Sequence, residues 1–117
     1  MNKVSCLLRA HRLKWGLHQK DFRALIPHTG HNRVSRVERS LRQPNAREIL
    51  AYGLIFGLLP EELFPGLVAE VEEAVLRNAY KLHQKAEKDT SEAGVRRQAF
   101  FEAILARAAD RVRTRGK

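Results

Sequence analysis

Cysteine is almost absent: Cys6 is the only one in 117 residues, so no disulfide can form within the chain, and a packed thiol in a reducing compartment is the expectation. No stretch reaches the roughly 18 consecutive apolar residues that cross a bilayer. Nor do the first residues offer the run of about seven apolar residues and small-residue cleavage site of a secretory signal. The expected location is therefore cytoplasmic. A glycine-rich phosphate loop, a nucleophile elbow and a paired-carboxylate motif are all missing, and Ser5, Ser35, Ser40 and Ser91 sit in helix or turn contexts. No enzyme is expected. Four of the five histidines precede residue 32, and His28 and His31 are three apart. Without a CxxC or HExxH pattern, only Cys6 and distant carboxylates could complete a tetrahedral set, so neither a metal nor another cofactor is expected.

Acidic residues are scarce in one part of the chain only. Residues 1–47 carry 11 Lys and Arg against Asp21 and Glu38, whereas residues 48–117 carry 11 basic and 11 acidic groups that cancel. The whole formal charge of +9 thus lies in the first two-fifths, where a polyanion would gain from counterion release. A membrane surface would call for an apolar stripe beside that charge. Nucleic acid is the better-matched partner, with a merely solvated basic surface as the plain alternative. The 44% apolar content is that of a folded chain, and its length allows a domain of about 60 residues with a helical appendage.

Apolar spacing reads as helix throughout. Val4, Leu8, His11 and Trp15 form one stripe, stopped by Gly16. A short second helix over about 19–26 turns Phe22, Leu25 and Ile26 inward, and Pro27 interrupts it. The next helix, about 31–39, aligns Val34, Val37 and Leu41 on one face, with Asn32, Ser35, Arg36 and Arg39 opposite and Glu38 beside the apolar strip. Asn45 and Glu48 form a capping box ahead of Ile49, Leu50, Leu54 and Phe56, and that helix ends at Gly57. Pro60 opens a fifth short helix with Leu63 and Phe64 inward, closed by Pro65-Gly66. Longer charged helices follow, one to about Lys88, a break at Asp89-Thr90-Ser91 and Gly94, and a last one carrying Phe101, Leu105, Ala108 and Val112. The fold class expected is all-α: a five-helix domain over 1–66 and a two-helix extension over 67–117.

Several separated motifs keep a common order: Leu8-Arg9 with Arg12, Gly16-Leu17 with Gln19, Val34-Ser35-Arg36-Val37-Glu38-Arg39, Arg42 and Pro44, Gly57, and Pro60-Glu61-Glu62-Leu63-Phe64. Residues 8–64 thereby resemble the Cro/cI-type helix-turn-helix family, also called the XRE family, over about half the chain. The resemblance implies sequence-specific double-stranded DNA binding and transcription regulation. The helix after the turn would enter the major groove with His31, Asn32, Arg33 and Arg36 at base edges. Asn suits adenine and Arg suits guanine, because each can make paired hydrogen bonds there. Gln19 matches the family glutamine at a phosphate-gripping helix start, and Lys20, Arg39, Arg42, Arg47 and Arg9 are further phosphate candidates. Arg12 and Glu38 match the family's internal ion pair and are assigned a structural role.

The chain also departs from the family pattern. His18 and Leu59 stand where Ser or Thr caps are usual, Arg23 replaces an alanine, and the turn holds Pro27 and one residue more. The register of His31 and Asn32 depends on that turn. The extension is expected either to form a homodimer through the Phe101, Leu105, Ala108, Val112 stripe or to fold back as a hairpin. The competing function is a protein- or RNA-binding module, for instance an antitoxin-like partner, built on the same helices.

Overall fold

A computed structural model describes residues 6–26 and 32–115, with side chains described through Arg111. The described residues are all-helical, in seven helices without a strand: α1 (Leu8–Lys14), α2 (Gln19–Leu25), α3 (Arg33–Glu38), α4 (Ala46–Phe56), α5 (Pro60–Leu63), α6 (Pro65–Ala86) and α7 (Glu92–Arg115). None of these is long and apolar enough to cross a membrane. The chain divides into two compact units, Met1–Ala69 and Glu70–Lys117.

The core of the first unit is built from Leu8 of α1, Phe22 and Ile26 of the α2 segment, Val34 and Val37 of α3, Tyr52 of α4, and Leu63 and Phe64. Phe22 meets Tyr52 and Phe56 at centroid distances of 5.4 and 5.7 Å, and Tyr52 meets Phe64 at 6.1 Å, tilted or edge-on as aromatic quadrupoles prefer. Burying one such ring stabilises by about 1.5–3 kcal/mol, so this aromatic cluster outweighs any single surface contact. Around it α2 packs against α3, whose Val34 and Val37 complete the core, and α4 meets α5.

Helix ends follow local chemistry. Gly16 and Gly57 adopt φ of +70° and +66°, the left-handed turn that ends a helix and that a Cβ would strain. At α4 the Asn45 side chain accepts from the Glu48 backbone N–H at 2.9 Å, while Glu48 Oε1 accepts from the Asn45 N–H at 2.8 Å. The two unusual caps are compensated from the far side of the first turn. The His18 N–H donates to Asp21 Oδ2 at 2.7 Å, and the Leu59 N–H donates to Glu62 Oε1 at 2.9 Å. An acidic residue at the third helical position thus satisfies a donor that the cap side chain leaves alone.

Several sequence expectations are corrected. Pro65-Gly66, expected to close the first unit, instead lies inside it: Pro65 opens α6, a position where its missing N–H costs nothing, and the unit runs on to Ala69. Trp15 is 67% exposed rather than inward, because α1 ends at Lys14 and the Lys14 ammonium lies 5.8 Å over the indole ring. Leu25 and Leu41 are exposed as well. The first is the final residue of α2, and the second follows Ser40, whose φ of 61° turns the chain out of the α3 register. On α4 the buried residues are Glu48 and Tyr52, while Leu50 and Leu54 sit roughly 160° around the helix and are 74% and 86% exposed. Val4 lies outside the described residues.

In the second unit α6 and α7 form an antiparallel pair, linked by His83 Nε2 to Glu102 Oε1 at 3.0 Å and Arg111 Nη2 to Glu72 Oε2 at 3.2 Å. The connection is a polar turn: the Ser91 N–H donates to Asp89 Oδ1 at 2.9 Å and the Gly94 N–H donates to Ser91 Oγ at 3.1 Å, capping α7. Hydrogen bonding by Ser91, with Arg97 alongside, holds the Asp89 carboxyl below its ordinary value. Gly94 is buried directly against Asp89, leaving no space for a Cβ.

Candidate nucleic-acid interface

Helix α3 is short and two-sided. Val34, Val37 and Glu38 are buried, while Asn32, at its start, Arg36 within it and Arg39, at its end, are exposed. At about 100° per residue these three side chains fall within one sector of about 60° on the face opposite Val34. Asn32 takes the cap position without a side-chain cap hydrogen bond, so its amide is directed to solvent rather than spent on the helix.

Beneath that face lies an ionic network. Arg12 Nε donates to Glu38 Oε2 at 2.6 Å, Arg12 Nη2 to Glu38 Oε1 at 3.1 Å, and Arg12 Nη1 to the Leu17 carbonyl at 2.8 Å. Gln19 Nε2 also donates to Glu38 Oε1, at 3.0 Å. Glu38 therefore ties α1, the start of α2 and α3 together through three donors, with its side chain 1% exposed. This two-pronged geometry is the one in which a buried pair offsets its desolvation.

Arg33 is placed differently from the sequence expectation. Rather than joining the outward basic face, its guanidinium holds Glu48: Nη2 donates to Oε1 at 2.8 Å and to the Gln43 carbonyl at 3.2 Å, and Nε pairs with Oε2. The hydrogen bond to Glu48 raises the Arg33 pKa further above its ordinary value. The cause is the capping box, which fixes Glu48 in a nearly buried position where its second charge-satisfying partner must come from α3. Arg33 is thus a bolt between α3 and α4, not an available base reader. Glu48 was legible as a cap but not as an ion-pair partner, since sequence spacing across the intervening turn carries no such signal.

Tyr52 supplies a second feature absent from the sequence reading. Its ring is fully buried, and its hydroxyl has no hydrogen-bond partner. Burial first, and then the negative potential of Glu48 and Glu38, push its pKa well above the ordinary tyrosine value, so the hydroxyl stays neutral. Burial likewise pushes the Cys6 thiol up.

The carboxylates of the first 48 residues are all engaged: Asp21 on a backbone amide, Glu38 with Arg12 and Glu48 with Arg33. Arg9, Lys20, Arg36, Arg39, Arg42 and Arg47 are exposed, and among the described residues no carboxylate pairs with them. A local excess of positive charge therefore remains at the surface, with low-dielectric protein behind it. His31 lies outside the described residues, as does His28. Among the described residues no three His, Cys, Asp or Glu side chains are grouped as a metal set. Comparison with protein-family models, curated proteins and solved structures finds no match to this chain.

Proposed function

We propose that the first unit is a helix-turn-helix module of the Cro/cI type that binds double-stranded DNA with sequence preference and regulates transcription. One observation carries the reading: the face of α3 bearing Asn32, Arg36 and Arg39 is open to solvent, while the arginines beside it, Arg12 and Arg33, are committed to Glu38 and Glu48. A helix anchored by its valines and presenting an amide and a guanidinium has the shape and donor pattern for a major groove.

In this reading Asn32 and Arg36 meet base edges, with His31 preceding them. Arg39, Arg42, Arg47, Arg9 and Lys20 are the reserve of phosphate contacts. Gln19 fits a bridging role, because its amide nitrogen carries two hydrogens and only one is used by Glu38. Arg33 acts indirectly, by holding α3 against α4.

Selection of bound sequences from a random duplex pool, followed by affinity measurements on the selected site, tests the proposal. Arg36→Ala is expected to weaken binding by about 1–3 kcal/mol, largely at one base-pair position, whereas Arg42→Ala should weaken all duplexes alike and flatten the salt dependence. A chain that ignores duplex DNA at low salt yet binds a structured RNA or a protein partner would be a module of another class.

A further inference from the structure

The second unit has almost no core of its own. Among its described residues only Ala79, Ala86 and Gly94 are buried, and no side chain larger than alanine is shielded from solvent. Phe101, Leu105 and Ala108, the stripe expected from sequence to join two copies, are half-buried on α7, and the side chain of Val112 lies outside the described residues. The large apolar groups left open on α6 are others: Val71, Val75 and Leu82 are 54%, 48% and 46% exposed along one stripe, and Tyr80 is exposed on a different face.

Their spacing is informative. Val71, Val75, Asn78, Leu82 and Lys85 follow one another at steps of four, three, four and three, the seam of a heptad repeat, over a helix of 22 residues. Ala79 and Ala86 lie on the adjoining face and are buried, so the seam is a second packing face beside the one already filled. Charge along α6 is segregated as well. Glu70, Glu72 and Glu73 occupy its first part, and Arg77, Lys81 and Lys85 the part that follows. Two such helices side by side in the same direction would set acid against acid and base against base. Opposed in direction, they set Glu70, on the flank of the seam, near Lys81 on the same flank of the copy.

We propose that the occupant of the α6 seam is a second copy of this chain, docked antiparallel so that Val71 of each copy packs on Leu82 of the other. The same register brings Val75 opposite Asn78 on both sides of the two-fold axis, and a polar group in an apolar seam penalises slipped alignments. The two hairpins together form a four-helix arrangement, which supplies the enclosed apolar layer that two helices lack. This inference rests on α6 alone and stands or falls independently of DNA binding.

Sedimentation equilibrium of the full chain is expected to give twice the 13.4 kDa chain mass at micromolar concentration. Val75→Glu should raise the dimer Kd by at least about 100-fold, since it buries an unpaired charge, with helical content by circular dichroism retained. Orientation is read by cross-linking in a Cys6→Ala background. Val71→Cys chains alone should not form a disulfide, because in the antiparallel register their two positions lie about 16 Å apart along the axis. Val71→Cys mixed with Leu82→Cys should cross-link. A monomeric wild-type chain, or an unchanged Kd in Val75→Glu, overturns the interface; disulfides between two Val71→Cys chains overturn its direction.

Discussion

Replacing Glu38 by alanine removes the acceptor on which three donors converge: Arg12 Nε, Arg12 Nη2 and Gln19 Nε2. Arg12 is 7% exposed, so its guanidinium cannot recover water without opening the junction of α1, α2 and α3. A charge stranded in this way costs about 3–5 kcal/mol, against a total stability of about 5–15 kcal/mol for a typical domain. For a unit of this size each kcal/mol moves the midpoint by about 4–8 °C, so Glu38→Ala should lower Tm by roughly 12 °C or more. Arg36→Ala, on the exposed face of the same helix, should stay within about 0.5 kcal/mol of wild type. The paired replacement Arg12→Met with Glu38→Leu removes both charges and should recover much of the loss, because no buried ion is left behind. Thermal and urea unfolding followed by circular dichroism measures all three. Similar losses for Glu38→Ala and Arg36→Ala, or a double variant as unstable as the single one, would refute the claim that this pair is a buried structural bolt.

Other outcomes follow from single contacts. Tyr52→Phe deletes a buried hydroxyl that has no partner, so urea unfolding should show it neutral or more stable by up to about 1–3 kcal/mol; a large loss would mean the hydroxyl is bonded. Arg33→Ala leaves the buried Glu48 charge with no cation and only the Asn45 N–H as donor, so it should lower Tm as a stability mutant, and its DNA affinity should be lost no faster than its folded fraction. Gly94→Ala raises helix propensity yet forces a methyl group into Asp89, and helical content in the wild-type and variant chains should show the second effect winning.

The helical class and the order of elements were readable because short-range signals agree in this chain. Valines three apart in α3, the Asn45–Glu48 box and the stops at Gly16 and Gly57 each act within a turn or two, and each lies where local chemistry places it. Tertiary choices were less readable. Leu50 and Leu54 look as apolar as Ile49, and only the direction in which Tyr52 is drawn into the aromatic cluster decides which face of α4 is inward. Arg33 and Arg36 are likewise equivalent in type. What separates them is a carboxylate 15 residues away that no local pattern links to α3. Pro65 misleads for a related reason, since a residue that breaks a helix from within also starts one well.

The central claim is that the Asn32, Arg36 and Arg39 face of α3 is where a duplex lies. Backbone amide chemical shifts recorded while a selected DNA duplex is titrated into the full chain address it directly. The largest changes are expected in residues 32–39 and at the start of α2, with α6 and α7 nearly unmoved. Shifts confined to Glu70–Lys117, or none at saturating duplex, would contradict it.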